Sequence, residues 1–246
     1  MLFSIITVSL NAEDLIYDTL KSALDQEFTD FEIIVKDGGS TDKTLENIPS
    51  DERIRVISKK DKGIYQGMNQ AIVEARGEYL IFMNCGDRFY DSTVLSRAYA
   101  RLKDRNTPCI LYGKMFTEKN GVVSYPSRMK KRFFYNATLC HQASFIPRKA
   151  FSDIGYYDEG MKIAADWKFF LEAFLGGVEY EYCDSVFCYF LDGGVSETKK
   201  GIEQGEKERR LTKKKYFSTL EKIYIPLIYT KAGRMLISLK NKIKKG

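Results

Sequence analysis

Three aspartates stand in loops that follow three short apolar segments near the start of this 246-residue chain. Residues 31–36 run into Asp37-Gly38-Gly39-Ser40-Thr41-Asp42. Residues 53–57 lead to Asp61-Lys62-Gly63, and residues 79–83 to Asn84-Cys85-Gly86-Asp87. A carboxylate accepts hydrogen bonds from ribose hydroxyls or a base N–H edge, and it is a hard oxygen ligand for a divalent cation. Bare phosphate suits it poorly, because like charges repel. One aspartate at a strand end is more often a turn or capping residue. Three in successive loops point to a site. Further along, Asp166 stands beside Trp167, and His141 is the one histidine of the chain.

The elements around these loops explain why the loops would meet. Apolar runs at 3–8, 31–36, 53–58 and 78–83 read as strands. Between and after them, helical spacing appears over 12–26, 41–48, 64–76 and 91–103. Strands alternating with helices build a parallel sheet, and ligands bind beyond the carboxyl ends of its strands. Residues 1–105 therefore form a doubly wound half with the aspartates along one edge. The rhythm is less regular over 106–206: strands are expected at 109–113, 121–125, 178–182 and 186–190, and helices at 147–151 and 164–175. A charged helix is expected over 202–220, an apolar patch at 223–229 and a last helix over 231–245.

Composition narrows the class. A content of 44% hydrophobic residues suffices for a core. The opening residues read as a buried strand rather than a secretory leader, and no apolar run reaches the length of a spanning helix. Five cysteines without zinc-type spacing are expected to be reduced thiols in a cytoplasmic protein. The net charge of +6 is unevenly spread. Residues 207–246 hold 13 Lys/Arg against 2 Asp/Glu, whereas residues 1–206 hold 26 against 31. A mildly acidic body thus carries a basic tail.

The motifs resemble those of family 2 glycosyltransferases. The run from Ser4 to Asn11, Asp37 to Thr44, Asp61 to Tyr65 with Met68-Asn69, and Asn84 to Asp87 carry the likeness in its first half. His141-Gln142-Ala143, Ile154 to Glu159, Ala165-Asp166-Trp167 and Gly193 to Ser196 extend it to about residue 200. The resemblance implies an inverting enzyme of the GT-A fold, a Rossmann-like α/β fold with a mixed sheet. Residues 1–105 would bind the nucleotide-sugar donor and residues 106–206 the acceptor.

By that resemblance Thr7, Ser9 and Asn11 border the nucleotide, with Asp37 at the base edge, by analogy uracil. Asp61, Lys62, Gly63, Asn69 and Asn84 also lie at the nucleotide-sugar. Asp87 would bind Mn²⁺ or Mg²⁺, and Asp166 would be the catalytic base. His141, Gln142 and Trp167 would lie on the acceptor or sugar side. The chain departs from the family pattern where Asn84 and Gly86 replace frequent acidic residues, Gly38-Gly39 replaces a commoner second aspartate, and Gln66 stands where an aspartate often follows Tyr65.

The tail lies outside the resemblance. Its mixture of basic and apolar residues is an interfacial pattern, so the expected partner is an anionic membrane surface, not nucleic acid. The enzyme would then sit peripherally at the inner face of the plasma membrane, with a saccharide acceptor that is lipid-linked. Two other classes compete. A sugar nucleotidyltransferase would show an N-terminal Gly-rich loop with a basic residue, absent here. A non-catalytic membrane-associated binding protein would leave the loop motifs unexplained.

Overall fold

The computed structural model of the protein describes residues 1–228. The helix expected over 231–245 lies outside the described residues. Four parallel strands, β1 (Phe3–Ser9), β2 (Phe31–Asp37), β3 (Ile54–Ser58) and β4 (Tyr79–Phe82), stand in the order β3-β2-β1-β4. Two helices, α1 (Ile16–Leu24) and α2 (Ile64–Glu74), make the crossovers on opposite faces. Ile16, Leu20 and Ala23 of α1 pack with Phe3, Ile5 and Ile33. Met68, Ala71 and Ile72 of α2 pack with Ile6, Ile34 and Leu80. The register pairs Ser9 with Asp37 and Asp37 with Ser58. The carboxyl ends of the first three strands thus lie level along one edge, where helical crossovers must turn.

The expected helix over 41–48 is a set of turns. The Asp42 carboxylate accepts the Thr44 N–H and hydroxyl and the Glu13 N–H. Side-chain bonds of this kind compete with the helical ladder. After β4 come a two-residue strand β5 (Arg88–Phe89) and helix α3 (Val94–Leu102).

The second half completes the sheet in mixed fashion. Strand β6 (Cys109–Thr117) carries the short partner β7 (Gly121–Val123). A short helix α4 (Phe133–Asn136) and a 3₁₀ turn (His141–Ala143) precede β8 (Ser144–Pro147), which inserts antiparallel between β4 and β6. Next come α5 (Arg148–Ile154) and α6 (Ala165–Leu175), then β9 (Glu179–Tyr189), parallel to β6 and antiparallel to β5. The two strands expected over 178–190 are therefore one, and its register against β6 shifts near Lys114.

The expected boundary at 206/207 falls inside a helix. Helix α7 (Lys199–Tyr216) is one continuous element, and Phe217, almost fully buried, ends it before α8 (Thr219–Ile228). The buried residues Gly201, Gly205, Glu208 and Thr212 recur every three to four positions. That spacing is one helix face laid on the body. The change in charge along the sequence marks a change of surface, not the end of the folded unit.

Candidate active site

The turn after β4 and the 3₁₀ turn before β8 interlock. Asn84 Nδ2 lies 3.0 Å from His141 Nε2, and Gln142 Nε2 donates to Asp87 Oδ2 at 2.7 Å. Adjacent residues of one turn thus each engage one residue of the other. With Nε2 turned to the Asn84 amide, Nδ1 is the ring nitrogen left on the other side. That nitrogen faces Asp166, 3.4 Å from Oδ2, too far for a well-aligned hydrogen bond. Asn84, Asp87, His141, Gln142 and Asp166, from β4, the 3₁₀ turn and α6, form one connected group.

The two carboxylates differ in electrostatics. Burial pushes the Asp87 carboxyl up to about 6, against the Leu191 N–H, the Gln142 amide and the His141 ring, which pull it down. Burial also works against the Asp166 charge, but the His141 ring, the Trp167 N–H and the Arg209 charge hold that carboxyl below its ordinary value. Asp166 stands in the first turn of α6, where the helix dipole favours a negative charge. Tyr65 Oη lies 3.2 Å from Asp166 Oδ1 and 2.7 Å from the Ile163 carbonyl. A hydroxyl has one proton, and the shorter bond takes it. Asp166 is thus ionised and loosely partnered, able to accept a proton.

A second group gathers at the ends of β2 and β3. Lys36 is fully buried and donates to the Asp37 and Lys59 carbonyls and to Asp61 Oδ2 at 3.0 Å. Sequence reasoning missed this lysine. Its signal was a cation inside an apolar central strand, where an unpaired charge would not be tolerated. Asp61 Oδ1 accepts the Gly63 N–H at 3.1 Å. Lys62 is exposed, and its N–H donates to Gln66 Oε1. Gln66, where the family often has an acid, bridges onward to Glu159.

Several expected roles need correction. Asp37 is fully buried, and its carboxylate takes the Gly39 and Ser40 N–H groups and the Ser40 and Ser58 hydroxyls. Four donors meet its lone pairs and hold the loop after β2 in place. Thr7 is likewise fully covered, and its hydroxyl and that of Ser9 are unpartnered. Asn11, at φ 51°, ties the Thr41 N–H to the loop after β1. Asn69 spends its amide on the Tyr157 backbone and Glu159, clamping α2 to the second half. Trp167 is fully buried and donates to the Phe134 carbonyl at 2.8 Å, so it fills the core and stacks on no sugar.

The fit of a divalent cation rests on Asp87 and Asn84. Asn84 Oδ1 is buried without a hydrogen-bond partner. It stands in the same turn as Asp87, whose N–H donates to the Asn84 carbonyl. Among the described residues no group of three or more His, Cys, Asp or Glu side chains is placed to hold a metal. One carboxylate whose charge is penalised by burial, plus one orphaned amide oxygen, fits a cation that takes its other ligands from a diphosphate.

A mixed sheet with a carboxylate turn at the end of β4 and a second acid on α6 is the layout of the GT-A nucleotide-sugar transferases. The chain belongs to glycosyl transferase family 2, whose family model matches residues 4–155. It is a glycosyltransferase. A PGL/p-HBAD biosynthesis glycosyltransferase of Mycobacterium bovis (strain BCG / Pasteur 1173P2) is 32% identical over 204 residues, 80% of each chain. S. aureus TarS 1–349, solved with UDP-GlcNAc, superposes with a TM-score of 0.70 at 22% identity, covering 92% of this chain and 69% of that one. In another TarS 1–349 structure the match spans 60% of the TarS chain. The mannosyltransferase PcManGT from Pyrobaculum calidifontis, solved with GDP-Man and Mn²⁺, gives a TM-score of 0.60 at 17% identity, covering 85% of this chain and 60% of that one. At those identities the solved structures speak for the GT-A fold alone.

Proposed function

We propose that this enzyme transfers a sugar with inversion from a UDP-sugar to a hydroxyl of a saccharide acceptor that is lipid-linked. The observation that carries the reading is the interlocked pair of turns, in which His141 faces Asp166 while Gln142 grips Asp87. Asp166 accepts the proton of the acceptor hydroxyl as its oxygen attacks the anomeric carbon. The nucleoside diphosphate leaves from the opposite face. Asp61, Lys62 and the Gly63 turn border the donor, Ser9 and Asn11 line the loop after β1, and Lys62 balances diphosphate charge. Asp87 and Asn84 Oδ1 would hold Mn²⁺ or Mg²⁺ with the diphosphate, the cation supplying Lewis-acid stabilisation of the leaving group. Uridine is favoured by analogy with the UDP-GlcNAc complex of TarS.

The tail supports a peripheral place on the inner face of the plasma membrane. Among the described residues no helix is long and apolar enough to cross a membrane. Leu220, Ile223 and Tyr224 of α8 are exposed, and Lys213-Lys214-Lys215 lie just upstream. Basic residues near an anionic leaflet contribute about 1 kcal/mol each. Cytoplasmic placement is supported by the five cysteines being free thiols, the Cys140 and Cys188 sulfurs meeting at 4.0 Å as a hydrogen-bonded pair.

The test compares wild type with Asp166→Asn. Thermal unfolding with UDP, GDP, TDP or CDP, each with Mn²⁺, Mg²⁺ or EDTA, should show a metal-dependent shift with UDP in both proteins. Ligand at about 100 times its dissociation constant adds about 2.7 kcal/mol. Sugar transfer should fall about 10²–10⁴-fold in the variant alone. Full transfer by Asp166→Asn would remove the base assignment.

A further inference from the structure

We propose that Glu208 of α7 is a positioning residue for the catalytic base, which makes the C-terminal helix part of the catalytic apparatus. The proposal rests on the reading of Asp166 as that base. Glu208 is one of the two acidic residues among 13 Lys/Arg in residues 207–246, and it is almost fully buried. Its Oε1 accepts the Lys162 N–H at 2.8 Å and the Gln204 amide at 2.6 Å. Its Oε2 accepts the N–H groups of Ile163 at 3.1 Å and Ala164 at 2.9 Å. Those three residues lead directly into α6, whose second residue is Asp166.

The free N–H groups ahead of a helix need acceptors. A side chain at the N-cap usually supplies one, but this helix has Ala164 there and no side-chain cap. Glu208, from another helix, instead takes the N–H groups of the three residues just ahead of α6, up to the N-cap itself. Burial alone would raise its carboxyl, yet the Gln204 amide and the three backbone N–H groups hold it below the ordinary value, so it stays charged at neutral pH.

The segment is gripped from both sides. The Ile163 N–H goes to Glu208, and its carbonyl takes the Tyr65 hydroxyl, the group that also flanks Asp166. Beyond Asp166, Trp167 is fixed by its bond to Phe134, and the Arg209 guanidinium lies 5.6 Å from its ring centroid. One turn before Glu208, α7 approaches so closely that a Cβ on Gly205 would stand 3.1 Å from Ile163 Cγ2. Asp166 therefore hangs between Ala164 and Trp167, both held by neighbours outside α6. Because its own partners are loose, its place depends on these backbone anchors.

The experiment uses the full chain carrying Glu208→Ala, Glu208→Gln or Gly205→Ala. It reads amide exchange over residues 160–168 by mass spectrometry, kcat and donor KM for transfer from UDP-sugar, and the thermal shift with UDP. Loss of the clamp should speed exchange of the 162–164 amides and lower kcat about 10–100-fold, the scale of a misplaced catalytic group. Donor KM and the UDP shift should stay within about twofold, because a group acting only in the chemical step changes kcat. Glu208→Gln keeps one acceptor oxygen but turns its NH2 group toward two of the four donors, so it should recover only part of kcat. Gly205→Ala, which pushes Ile163 without touching Glu208, should give the same pattern more weakly and carries the test if Glu208→Ala fails to fold. Unchanged kcat with faster exchange overturns the proposal. A parallel fall of kcat, UDP shift and melting temperature in all three variants also overturns it, reducing Glu208 to general support. If Asp166→Asn is inactive while Glu208→Ala keeps full kcat, the positioning role alone fails. If Asp166→Asn keeps transfer, the base reading fails and the positioning role with it.

Discussion

At the residue scale, the informative pairing is Asn84 with His141. The sequence has an amide at position 84 where the family often carries an acid. The structure gives the amide a partner: it fixes which ring nitrogen of His141 faces Asp166. The pH consequence has a definite sign. Asp166 lies below its ordinary carboxyl value in the folded protein, so its stabilising contribution is present above that ordinary value and fades as pH falls through the lowered one. Its base form is likewise available throughout the neutral range. In His141→Gln, burial is opposed by less, and the carboxyl rises. The acid limb of the transfer rate should move to higher pH. A pH–rate profile of both proteins measures this directly. Coincident acid limbs would show that His141 does not hold the charge. None of this could be read from the chain, because residues 84, 141 and 166 meet only once β8 inserts beside β4.

At the element scale, the parallel half was legible except for the turns at 41–48, and the mixed half was legible in β6, β7, α5 and α6 but not in the short pieces around β8. Strands β1, β2 and β4 are apolar runs buried on both faces, β3 is a partly exposed edge strand, and the crossover helices carry clear stripes, so local pattern and fold agree. The strand β8 has four residues, and the 3₁₀ turn before it has three. Segments that short carry too little pattern to be read. They nevertheless deliver His141 and Gln142. The same short pieces close the site over Asp87, where Gly86 takes φ +100° and a Cβ would meet Leu191 Cδ2 at 2.5 Å. The Leu191 N–H donates to Asp87 Oδ1 at 2.9 Å. Gly86→Ala should therefore destabilise by about 1–2 kcal/mol for the backbone alone and further by moving Leu191. Gly121→Ala is the matched control, with φ +65° and open space around the added carbon. Thermal unfolding should show the larger loss at Gly86, and only that variant should weaken UDP binding. Equal losses, with binding intact in both, would mean that Leu191 yields freely and that the loop after β9 is not locked to Asp87.

At the scale of the whole molecule, the division into an acidic body and a basic tail misleads about where the fold ends. The charge balance changes sign at residue 207, but α7 passes through that point with its buried face unbroken. A chain ended at 206 loses Glu208, Thr212 and Phe217 from the interior. Burying one Phe is worth about 1.5–3 kcal/mol, and hydrogen bonds to a charged group about 1.5–3 kcal/mol. Against a total margin of about 5–15 kcal/mol, that removes a large share of the stability. A chain ended at 228 keeps these contacts, together with the Lys131–Glu221 ion pair and buried Ile225. It should melt close to the full-length protein, whereas the chain ended at 206 should melt far lower or lack a cooperative transition. This separation matters for the membrane reading. Loss of vesicle binding on removing 207–246 would mix a lost surface with a damaged fold. Removing only 229–246 takes away 6 of the Lys/Arg residues and leaves α7 and α8 whole. Binding to vesicles rich in anionic lipid should then weaken while transfer to a soluble acceptor persists. The remaining binding should fall with added salt, since exposed charges more than a Debye length apart are screened. Vesicle binding by full-length protein that ignores both lipid charge and salt would leave exposed Leu220, Ile223 and Tyr224 as the whole of the contact and remove the basic residues from it.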